Sequence, residues 1–121
     1  MKLLTLLLSL MLSAGALAQT QVKIPRKFQG EWNMQPAACG TALNDSVLLL
    51  ESEKISYYET SGPVRAVLAR GHELGLLAEL SGEGHTSVHV AQFRLSRDGR
   101  TLIDELSTPQ LKRYRCPTRR R

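Results

Sequence analysis

The chain has 121 residues, 16 Lys and Arg against 11 Asp and Glu, a net charge of +5 and two cysteines. Length allows one domain and no more. Nucleic-acid binding is not expected although the charge is positive. The stretch 106–121 holds Lys112, Arg113, Arg115, Arg119, Arg120 and Arg121 and no acid, while 19–105 is mildly acidic, so the basicity is terminal, not a patch on a face.

Met1-Lys2 supplies a positive charge, Leu3 to Leu12 is apolar except for Thr5 and Ser9, and Ala16-Leu17-Ala18 has a small-x-small form. These are the three regions of a cleavable signal peptide over 1–18. The apolar run is shorter than the roughly 20 residues of a membrane span. Leu12-Ser13-Ala14-Gly15 begins like a lipoprotein box, but Ala16 stands where a lipid-bearing cysteine would be. Cleavage after Ala18 leaves Gln19 first, with no further apolar span and a bacterial style of leader. The expected location is therefore periplasmic or secreted, with no membrane span in the mature chain.

Residues 19–27 read as an extended arm carrying Lys23, Pro25 and Arg26. From there to Cys116, turn signals recur at short intervals: Ser61-Gly62-Pro63, Arg70-Gly71-His72, Ser81-Gly82-Glu83-Gly84, Arg97-Asp98-Gly99 and Ser107-Thr108-Pro109. Between them side chains alternate with period two, which predicts an all-β domain over 28–116. Phe28, Gly30, Trp32 and Met34 share a face of the first strand. Val47 to Glu51 and Lys54 to Thr60 form the next two, with Ile55 and Tyr57 opposite Ser56 and Tyr58. Val64, Ala66 and Leu68 line the fourth strand, and Leu74, Leu76, Ala78 and Leu80 the fifth. In the sixth, Thr86 to Leu95, Val88 and Val90 are out of phase with Ala91, Phe93 and Leu95. A β-bulge near Val90-Ala91 would bury both sets. Thr101 to Leu106 and Leu111 to Cys116 complete a small antiparallel meander of about eight short strands, and 117–121 is a basic tail. A closed or nearly closed barrel removes sheet edges, and a β-sandwich is the alternative arrangement.

Cys39 and Cys116 have neither zinc-ligand nor CxxC spacing. In an oxidising compartment they read as one disulfide, against two unpaired thiols. Gly30-Glu31-Trp32 resembles the Gly-x-Trp opening strand of lipocalin-like barrels. That resemblance implies that Trp32 closes the bottom of the core and that Arg113 or Arg115 stacks on it. With export, the arm and one disulfide, the plan is also similar to the bacterial metalloprotease-inhibitor barrels and to small exported bacterial proteins of unknown role.

No nucleophile elbow, phosphate loop or His-Glu-x-x-His is present. His85 and His89 face one side of a strand but lie about 13 Å apart, too far to share an ion. They read, with His72 in a turn, as exposed residues. Glu51, Glu53 and Glu59 read as solvated acids of one hairpin. No cofactor or metal is expected, and no enzyme. The sequence points instead to an exported binding protein whose partner is another protein of the cell envelope, of inhibitor or immunity type. Lys23, Arg26, Tyr58, Arg119, Arg120 and Arg121 are the candidate contacts, and the basic tail could meet an anionic surface. A carrier of a small apolar ligand is the alternative.

Overall fold

The computed structural model describes residues 23–41 and 45–118. The leader, the start of the arm and the tail residues Arg119, Arg120 and Arg121 lie outside the described residues. Eight strands follow in chain order: β1 Gly30–Asn33, β2 Leu48–Leu50, β3 Lys54–Tyr57, β4 Ser61–Arg70, β5 Glu73–Gly82, β6 His85–Leu95, β7 Thr101–Asp104 and β8 Leu111–Arg115. Each is antiparallel to the next, and β8 returns to β1 through Trp32↔Arg115 and Asn33↔Tyr114. The sheet is thereby a closed barrel, not a sandwich. Single 3-10 turns at Arg26–Phe28 and Pro36–Ala38 are the helical pieces among the described residues.

The alternation expected of β5 holds: Leu74, Leu76, Ala78 and Leu80 all face the core. Ile55 points in with Tyr57 partly buried beside it, whereas Tyr58 is 45% exposed. Phe28 and Trp32 are fully buried, but Phe28 belongs to a 3-10 turn and Met34 lies exposed beyond the end of β1. The arm contributes to the core as well. Ile24 is buried, and its N–H donates to the Ser52 carbonyl at 2.8 Å. Each such aliphatic or aromatic side chain removed from water stabilises the fold by about 1.5–3 kcal/mol.

The bulge lies on β4 and not on β6. Pairing of β5 with β6 runs unbroken from Glu73↔Arg94 to Gly82↔His85. Val88 and Val90 therefore stay on the outer face, 68% and 58% exposed. On β4 the register shifts between Val64 and Ala66. The extra residue buries both Val64 and Val67 and turns Leu68 outward, 79% exposed, instead of lining the core with Val64. Gly62 shows how tightly the chain curves just before this point. A Cβ there would stand 1.7 Å from the Glu79 carbonyl oxygen, so only glycine lets β4 cross β5 so closely.

Candidate functional site

One end of the barrel is sealed by the Gly-x-Trp strand. The Arg115 guanidinium lies 4.2 Å from the Trp32 ring centroid, within cation–π range. It is held there by three carbonyls: Nε donates to Gly99 O at 2.8 Å, Nη1 to Gln29 O at 2.8 Å and Nη2 to Lys27 O at 2.6 Å. Trp32 Nε1 donates to Phe28 O at 3.0 Å. Gly30 has φ +133°, and a Cβ on it would lie 3.3 Å from Arg115 Nη1. Of the two arginines considered for this stack, Arg115 fills it.

Arg113, two residues earlier on the same face of β8, belongs to a polar layer nearer the other end. Its side chain is 6% exposed; Nε donates to Ser46 O at 2.9 Å and Nη1 lies 3.8 Å from Asp104 Oδ2. The guanidinium is 6.0 Å from the Tyr57 ring centroid. The Tyr57 hydroxyl meets His89 Nε2 at 2.9 Å, and the two rings stand edge to face. Burial, reinforced by the Asp104 carboxylate, pushes the Tyr57 hydroxyl well above its ordinary value. Burial lowers the His89 imidazole, with Asp104 partly opposing. A tyrosine that keeps its proton can donate to the bare Nε2 of a neutral ring. His89 is thus half-buried and bonded inside the barrel, not an exposed strand residue; His85 and His72 are exposed.

Cys39 and Cys116 are joined, with Sγ–Sγ 2.00 Å and Cα–Cα 5.5 Å, and no cysteine is free among the described residues. Glu31 lies close to both sulfurs, but sulfurs bonded to each other do not offer thiolates to an ion. The Glu31 carboxylate instead accepts from Gly40 N at 2.7 Å, on the loop that carries Cys39. No described helix is long and apolar enough to cross a membrane.

No family model, curated protein or solved structure matches the chain. The outside of the barrel therefore has to speak for itself. The strands β4, β5 and β6 are about twice as long as the rest, and their outer face carries Leu68, Leu77, Val88 and Val90, all exposed. Register gathers these residues. Ala66 pairs with Leu77, Leu77 with Val90, and Leu68 with Gly75. Because Gly75 has no side chain, a shallow depression of about 230 Å³ opens between Leu68 and Leu77. The ion pair Arg65–Glu79, Nη2 to Oε2 3.1 Å, stands at one side of it.

The expected contacts do not gather there. Lys23 and Arg26 are exposed beside the sealed end, and Tyr58 sits in the β3–β4 turn with Glu59. Glu51, Glu53 and Glu59 are exposed acids, as read from their hairpin. Sequence reasoning missed the aliphatic face because it assigned Val88, Val90 and Leu68 to the core. The phase break between Val90 and Ala91 was the available signal. Two valines out of step with their strand mark either a bulge or an outward-facing surface.

Proposed function

We propose that this is an exported, non-enzymatic binding protein that holds another protein, as inhibitors and immunity proteins do, through the outer face of β4–β6. The observation that carries the reading is the row Leu68, Leu77, Val88 and Val90. Four exposed aliphatic side chains contiguous on one face, bordered by the Arg65–Glu79 ion pair, are what a protein interface leaves bare when its partner is absent. Export rests on the leader over 1–18, and the disulfide suits an oxidising compartment. The carrier reading would need space at positions that Trp32, Phe28, Phe93, Leu48 and Leu102 occupy in the buried core. No observation favours it.

The test compares the wild-type protein with Leu68→Glu as bait in an envelope extract of the source cell. Leu68 supports no core contact, so the variant should fold with unchanged thermal stability. The wild type is expected to recover one partner in stoichiometric amount and the variant at least about tenfold less. Recovery of the same partner at the same level by both would remove the outer face from the account.

A further inference from the structure

The barrel is closed, yet β6 is only half paired on its second side. Toward β5 it is bonded along its whole length. Toward β7 the register covers only Phe93↔Asp104, Arg94↔Ile103 and Leu95↔Leu102, with one more bond from Glu105 N to Gln92 O at 2.8 Å. From His85 to Ala91 no described strand lies on that side. Parity says which groups are left bare. Gln92 O faces β7, and Leu95 N faces the other way, donating to His72 O at 2.8 Å. In an antiparallel ladder a residue sends both its N–H and its C=O to one side, so Thr86, Val88 and Val90 share the orientation of Gln92. Their backbone groups point away from β5 along an edge about 23 Å long that no described strand covers.

Natural edges of this length are usually guarded by charge, proline or a bulge. The unpaired stretch of β4 beyond Val64 is guarded in that way, by the bulge and by Arg65 and Arg70. On β6 the stretch His85-Thr86-Ser87-Val88-His89-Val90-Ala91 contains no proline, no lysine, no arginine and no acid, and it is regular.

We infer that this edge pairs with the same edge of a second copy of the chain, antiparallel about a two-fold axis at Val88. The pairing is self-complementary, as an isologous contact must be. Val88 meets Val88, Thr86 meets Val90, Ser87 meets His89 and His85 meets Ala91, each residue on one copy opposite its counterpart on the other. Every edge-facing residue meets an edge-facing residue, so bare donors meet bare acceptors throughout. No formal charge opposes a like charge. The β4–β6 sheets of the two copies become one, and their outer aliphatic rows become a single face of twice the width. The inference goes beyond binding of a different protein and does not depend on it.

The test uses protein produced from the full chain. Sedimentation velocity over a concentration series is expected to show a monomer passing to a dimer. Val88→Pro removes one edge-facing N–H and nothing that bonds to β5, and it should stay monomeric throughout. Val88→Cys supplies the pair contact with a thiol, because the native cysteines are bonded to each other. Across the two-fold its Cα would be about 5.5 Å from that of its mate, within disulfide reach. Mild oxidation should cross-link it at least about tenfold faster than Leu68→Cys, which is also exposed on the outer face but lies two strands away on β4. If Val88→Pro does not fold, the cysteine pair decides alone. A wild type that remains monomeric at its highest soluble concentration, or equal cross-linking of the two cysteine variants, overturns the inference.

Discussion

Arg115 meets four points on two pieces of chain with one side chain: Lys27, Gln29 and Trp32 on the stretch that leads into and includes β1, and Gly99 on the β6–β7 loop. Removing it leaves three carbonyls without their charged donor and the Trp32 face bare. Arg115→Ala is expected to cost about 3 kcal/mol in a denaturant titration, with Arg115→Lys recovering only part of it, because an ammonium cannot fork to three acceptors while lying flat on a ring. Gly30→Ala should cost about 1–3 kcal/mol by the same measurement, since φ +133° disfavours any side chain there and Arg115 Nη1 stands in the way. The polar layer contributes to the pH dependence of stability at both ends. His89 titrates lower in the native barrel than its ordinary 6.5, so below that value the unfolded chain binds the extra proton first and stability falls as the pH falls. Tyr57 titrates higher than its ordinary 10, so above that value the unfolded chain loses the proton first and stability falls as the pH rises. Thermal melts of His89→Gln and Tyr57→Phe should flatten the acid and the alkaline limb respectively.

Among the elements, β4 shows what position within the sheet adds to pattern. With the bulge where the register places it, Val67 is a core residue and its neighbour Leu68 is not. Val67→Ala is expected to cost about 2 kcal/mol and Leu68→Ala less than about 0.5 kcal/mol in the same denaturant titration. The reverse order would put the bulge elsewhere. Strand count and turns were legible in the sequence because Gly-containing turns and period-two runs are local signals. The fifth strand was read correctly side chain by side chain, because its leucines keep one phase from Leu74 to Leu80. What was not legible was which phase break is a bulge. Val64 and Val67 on β4, and Val90 and Ala91 on β6, both break phase. Burial of aliphatic residues is the default expectation, so the wrong strand received the extra residue. Only the register, set by Gly62 against the Glu79 carbonyl, separates the two cases. The Arg115 stack was half legible: residue type and strand follow from the resemblance, but choosing between Arg113 and Arg115 requires the pairing with Trp32.

At the scale of the whole molecule, the disulfide ties the loop after β1 to the end of β8 with a sequence separation of 77. Next to the β1–β8 closure, it restrains nearly the entire domain in the unfolded state. Replacing both cysteines by alanine should lower stability by about 4 kcal/mol on the chain-entropy account, read from the denaturation midpoint. The native molecule is closed on the β1–β8 side by sheet pairing and the adjacent disulfide, and it is open along half of β6. Its exposed aliphatic face and its unpaired edge both fall on β4–β6, where both proposed contacts are placed. Amide hydrogen exchange along β6 tests this most directly. In dilute solution Ser87 and His89, which bond to β5, should exchange slowly while Thr86, Val88 and Val90 exchange fast, and the latter three should become protected as concentration rises. Uniform protection of all five in dilute protein, or fast exchange of all five, would contradict a closed barrel whose β6 edge is open.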